Sequence, residues 1–99
     1  MNEVELLALG DALARTSDVL RPGEHVSFRA YLARALRSEA QIAALFGETT
    51  FQVSVDGQPV DGPESTLPVT AASRVVLYRR RGPALDVLTR GVVRRICLN

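Results

Sequence analysis

Hydrophobic and polar positions along this chain change period several times, and each change marks an element. Phe28, Tyr31, Leu32, Ala35 and Leu36 recur at helical spacing, with Arg29, Arg34 and Arg37 between them, and Ser27 stands where a cap belongs. The spacing predicts a helix from Ser27 to Arg37. At Ser38 the pattern restarts: Ser38-Glu39-Ala40-Gln41 is a capping box, and Ile42, Leu45 and Phe46 follow before Gly47. Two helices meeting at a bend are expected there. From Thr49 to Val55 the period becomes two, with Phe51, Val53 and Val55 on one face and Thr50, Gln52 and Ser54 on the other. Asp56-Gly57 then turns this strand into a short return over Gln58 to Val60, which Pro59 confines to an edge. Leu67 and Val69 are expected to anchor the following loop. Val75, Val76, Leu77 and Tyr78 read as a core strand that runs out into solvent at Arg79, Arg80 and Arg81.

The first twenty residues are ambiguous. Val4, Leu6 and Ala8 alternate as in a strand, whereas Leu6, Leu9 and Leu13 fit a helix face. Gly10-Asp11 interrupts the run and favours a strand ending there, then a helical turn over Ala12 to Arg15 and a second strand over Asp18 to Arg21, closed by Pro22-Gly23. The expected order is thus hairpin, two helices, hairpin, final strand. Phe28, Leu32 and Leu36 should pack on Phe51, Val53, Val76 and Tyr78.

Composition narrows the function classes. With 99 residues, 46% of them apolar, the chain supports one compact domain. Its single histidine, His25, and single cysteine, Cys97, have no partners of metal-ligating type, so neither a metal site, a cofactor site nor an internal disulfide is expected. The carboxylates, Glu3, Glu5 and Asp18 among them, form no visible catalytic set. A non-enzymatic, cytoplasmic protein is expected, because the acidic start is unlike a signal peptide and no apolar run approaches membrane-spanning length.

Charge is unevenly placed. Residues 1–78 carry six arginines against ten acids, and residues 79–99 carry six arginines against Asp86 alone. The body is therefore at about −4 and the end at about +5. All twelve basic residues are arginine.

The run Val55-Asp56-Gly57-Gln58-Pro59-Val60 is similar to the Val-Asn-Gly-Glu-x-Val turn of the sulfur-carrier branch of the ubiquitin-like proteins. That branch includes the small subunit of molybdopterin synthase and the thiamine sulfur carrier. Leu67 stands at the branch's Pro-Leu anchor, and Ser73-Arg74-Val75-Val76-Leu77 at its Gly-Asp-x-Val strand opening. The resemblance covers most of residues 1–82. It implies an α+β, β-grasp fold, a mixed sheet curled around one main helix, with residues 83–99 as a carboxyl-terminal extension.

The resemblance further implies a protein modifier precursor of a bacterial conjugation system. Such a precursor is cut at a glycine by a JAB-type metalloprotease, adenylated by an activating enzyme, and passed by a conjugating enzyme to a protein target. The candidate glycines are Gly82, which Pro83 follows, and Gly91, which lies in Leu88-Thr89-Arg90-Gly91 and is preferred because an imide bond is a poor protease substrate. Arg79, Arg80, Arg81 and Arg90 would form the solvated arm that partners bind. Sulfur carriers end in Gly-Gly, whereas this chain runs on to Asn99.

Three alternatives stay open: a sulfur carrier with a terminal thiocarboxylate, a β-grasp interaction subunit that is never conjugated, and a tail that forms an amphipathic helix. In the last, Leu85, Leu88, Val92 and Ile96 would share one helix face. Nucleic acid is a weaker partner for the tail, since it has no aromatic residue on which bases would stack. The chain has no lysine, so a modifier built from it would form single conjugates or chains linked linearly through Met1.

Overall fold

The computed structural model describes residues 3–47, 51–89 and 92–97. Among these residues four helices and seven strands follow in the order α1 (Glu3–Ala14), α2 (Thr16–Val19), β1 (His25–Ser27), α3 (Phe28–Ala35), α4 (Glu39–Gly47), β2 (Phe51–Val55), β3 (Gln58–Pro59), β4 (Pro68–Thr70), β5 (Val75–Arg81), β6 (Ala84–Thr89) and β7 (Val92–Cys97). The class is α+β, as the patterning implies. The main sheet runs β3-β2-β5-β6-β7, and a small second sheet joins β1 to β4. Every described ladder is antiparallel, so the sheet is not the mixed one expected.

The largest departure lies at the start of the chain, where the expected strands over Glu3–Leu9 and Asp18–Arg21 are helical through Val19. Gly10 has a tertiary role. It does not break α1 but lets that helix settle on the sheet: a Cβ at this position would lie 3.2 Å from Cβ of Leu88. A glycine inside a helical pattern often marks such a close approach. Leu9 and Leu13, on the face that α1 turns inward, are buried.

Several contacts lock the helical layer. The hydroxyl of Tyr31 donates to the carbonyl of Leu13 at 2.6 Å, satisfying an acceptor that the last turn of α1 leaves without an intrahelical partner. Burial of this phenol raises its pKa above the ordinary value. Thr16 Oγ1 lies 3.0 Å from the carbonyl oxygens of both Ala71 and Ser73, and so holds α2 to the loop before β5. Ser27 caps α3 by accepting from the Ala30 amide, and Ser38 accepts from the Gln41 amide at the bend before α4.

Strand parity decides which residues meet this layer. Val53 lies opposite Leu77, Val55 opposite Val75, and Leu77 opposite Leu88; all five belong to the core with Leu13, Phe28, Tyr31 and Leu32. Val76 and Tyr78, expected to pack against the helices, sit one residue out of phase and lie on the opposite face, where Val76 is buried and Tyr78 half-buried. Asp56 and Gly57, both with positive φ, make the turn between β2 and β3. The Asp56 carboxylate accepts the Arg74 amide at 2.8 Å and pins the start of β5.

Candidate functional site

Arg79, Arg80 and Arg81, expected to belong to a free arm, lie in the strand β5. Of the expected extension, the described stretches Ala84–Thr89 and Val92–Cys97 are β6 and β7, two strands of the five-stranded main sheet. Neither described stretch is helical, so the amphipathic helix is not formed by them. Leu85, Leu88 and Ile96 alternate by sheet face: Leu88 is in the core, while Leu85 and Ile96 lie opposite each other on the outer face.

Gly82 occupies the first central position of a two-residue turn, with Arg81 paired to Ala84 across it, and its φ is +56°. Pro83 follows and fixes a negative φ, so the turn is of type II′, which matches the twist of the flanking strands. Both turn residues are exposed, but the peptide bonds beyond them lead directly into the central sheet. A cut after Gly82 would therefore separate two strands from their partners. Gly91 and Arg90 lie outside the described residues.

The three consecutive arginines part company because successive side chains in a strand point to opposite faces. Arg79 faces the helical side, where Asp86 stands opposite it and Arg95 stands opposite Asp86. Nη2 of Arg79 is 2.9 Å from Oδ2 of Asp86, and Nε of Arg95 is 2.8 Å from Oδ1. Asp86 is fully buried. Hydrogen bonds from Arg95 above all, with those from Arg79, hold its carboxyl at about 2 against the opposing effect of burial. This three-strand clamp joins β5, β6 and β7. Its signal in the sequence was Asp86, the one acid among six arginines, but its partners follow only from the register.

Arg80 points to the other face and is exposed; of Arg81 only its place at the end of β5 is described. On that outer face two cross-strand rows run side by side. Gln52, Tyr78, Val87 and Arg94 form one, and Arg80, Leu85 and Ile96 form the other. Tyr78, Leu85, Val87 and Ile96 are all absent from the core that the helices cover. They make an apolar stripe with Arg80 at one side of the sheet and Arg94 at the other. Ile96 is 41% exposed, which is high for so large an apolar side chain. Tyr78 and the alternation of residues 84–97 were the available signals; the helical spacing of Leu85, Leu88, Val92 and Ile96 obscured them.

Elsewhere the chemistry is sparse. A cleft of about 590 Å³ opens between α1, α2 and residues 71–76. Its Arg15 is engaged by Asp11 at 2.9 Å and Asp18 at 3.5 Å. His25 and Cys97 are both exposed, and among the described residues no three His, Cys, Asp or Glu side chains converge as metal ligands. No described helix is long and apolar enough to cross a membrane. No protein-family model, no curated protein and no solved structure matches the chain.

Proposed function

We propose that the protein is a non-enzymatic interaction subunit that holds an acidic, partly apolar protein surface on the outer face of its main sheet, at the end where Arg80, Arg94 and Ile96 are exposed; this end is the open face. The observation that carries this reading is the pair of rows on that face, an apolar centre of Tyr78, Leu85, Val87 and Ile96 between Arg80 and Arg94. Tyr78 offers large contact area with little conformational freedom to lose, as aromatic anchors of interfaces do. Arg80 and Arg94 offer paired donors to carboxylates. A β-grasp kinship, with the sulfur-carrier or modifier chemistry and the activating enzyme, conjugating enzyme and JAB-type metalloprotease that it entails, is the competing proposal. It needs a free glycine terminus, and the position of Gly82 between two paired strands weighs against one there.

The test places a photoreactive phenylalanine at Tyr78, and separately at the exposed Ala44 on α4, in the full chain expressed in its own cells. A discrete crosslinked protein is expected from position 78 and not from position 44, rich in carboxylates at the linked peptide and lost when Arg94→Glu reverses the charge. The intact mass of the chain should stay that of the uncut sequence. Equal crosslinking from both positions, or a chain ending at Gly82 or Gly91, would reject the proposal.

A further inference from the structure

Among the described residues the open face ends at β7, an edge strand of the sheet. The opposite edge, β3, is two residues long and contains Pro59, so it is blunted against further pairing. β7 is six residues long, contains no proline, and is exposed at Arg94, Arg95, Ile96 and Cys97.

Which of its backbone groups face outward follows from the turn at Gly82-Pro83. In a two-residue hairpin the residues flanking the turn are hydrogen-bonded to each other, so Ala84, Asp86 and Leu88 bond toward β5, opposite Arg81, Arg79 and Leu77. Leu85 and Val87 therefore bond toward β7, to their partners Ile96 and Arg94. The amides and carbonyls of Val93, Arg95 and Cys97 are left pointing away from the sheet. A strand can dock on them without disturbing any existing ladder.

A second copy of this chain is a poor occupant. Two-fold antiparallel pairing sets residues of one face opposite each other, and the two registers that overlap most of β7 centre on Arg94 or on Arg95. The first places Arg94 against its own copy, and like charges directly opposed are destabilising; the second sets each Arg94 opposite Ile96, an apolar side chain where a carboxylate would match it. Arg95 is already bound to Asp86 at 2.8 Å, which leaves Arg94 to select the partner on the outer face.

We infer that β7 accepts an extended segment of a partner protein as a sixth strand, with a carboxylate side chain opposite Arg94 and an apolar one opposite Ile96. Main-chain hydrogen bonds to Val93, Arg95 and Cys97 supply the affinity, and the alternate side chains supply the choice of sequence. The inserted strand lengthens both rows of the open face by one residue each. This rests on the reading of that face as a docking surface, and it identifies the form of the partner.

The probe is a capped peptide, Thr-Ile-Thr-Glu-Thr-Ile-Thr, whose symmetry presents the same pattern in either strand direction, with a lysine-for-glutamate peptide as its control. Amide hydrogen exchange at residues 93, 95 and 97 is expected to slow by about tenfold when the glutamate peptide stands about tenfold above its Kd. Arg94→Glu should weaken the glutamate peptide and strengthen the lysine peptide, each by about threefold. Cys97→Pro removes one outward amide but no bond to β6, so it should leave Tm within a few degrees and lose the exchange protection at residues 93 and 95. Slowing at other residues, indifference to the charge swap, or no saturable slowing up to about 1 mM peptide would overturn the inference. Crosslinking from position 78 that persists in Cys97→Pro would overturn strand addition while leaving the docking face in place.

Discussion

A chain ended after Gly82 is expected not to fold. Such a chain loses β6 and β7, and with them Leu88, which is 1% exposed and packs on Leu77 and beneath Gly10 of α1. Removing one buried leucine side chain alone costs about 2–5 kcal/mol, and a domain of this size has about 5–15 kcal/mol in all. The shortened chain would also leave Arg79 facing the core side without Asp86, and would turn β5 from a central strand into an open edge. Its amide NMR spectrum should collapse to the narrow dispersion of an unfolded chain, whereas a chain ended after Gly91 loses only the edge strand and should keep a folded spectrum at reduced stability. Well-dispersed resonances from the chain ended at Gly82 would show that residues 3–81 form an independent unit, and would restore Gly82 as a processing site.

Asp86→Ala should be the most damaging single substitution in the clamp. It removes the carboxylate that Arg79, itself largely buried, uses across the strand, and breaking such a pair from one side costs about 3–5 kcal/mol. The lower end is expected, because Arg95 is 54% exposed and can turn to water. The same group sets a pH dependence. Its carboxyl is held at about 2 in the folded protein against 3.8 in a free chain, so between these values the unfolded state binds more protons. The stabilisation is complete above about pH 4, declines as the pH falls, and is gone below about pH 2, with an amplitude of roughly 1–2 kcal/mol once screening at the exposed Arg95 is allowed for. Urea midpoints at pH 7, 4 and 2 test this by difference: the gap between the parent and Asp86→Asn should close toward pH 2. Parallel profiles would show that the clamp is not the titrating element.

The sequence was most legible where pattern and turn chemistry agreed. Ser27 and the spacing of Phe28, Tyr31 and Leu32 located α3, Ser38 marked the restart at α4, and Asp56-Gly57 turned β2 into β3. It was least legible where a local cue had a tertiary cause. Gly10 looked like a helix breaker because its reason for being glycine, the side chain of Leu88, stands far along the chain. Val75, Val76 and Leu77 are all buried, so burial of the run could not say which of them meets the helices; the register with Val55 and Val53 does. Three arginines in a row suggested a solvated arm because pairing across β5, β6 and β7, which brings Arg79 to Asp86, has no trace in local spacing. The apolar stripe of the open face was hidden for the same reason, its members being neighbours across strands and not along them.

The strand order also has a kinetic side. Within the β5-β6-β7 meander the paired residues are close in sequence, Leu77 with Leu88 and Leu88 with Val93, whereas β2 reaches β5 only by closing the long excursion from Phe51 to Arg79. Hairpins form in about 1–10 μs, and non-local closure is slower because its loop entropy is lost before any contact rewards it. The meander should therefore act as the template on which β2 and the helices assemble. Val87→Ala, within it, should slow folding, while Gln58→Gly at the far edge should chiefly speed unfolding. Stopped-flow chevrons of the two variants separate these effects, and equal partition in both would mean that the sheet assembles from no preferred end.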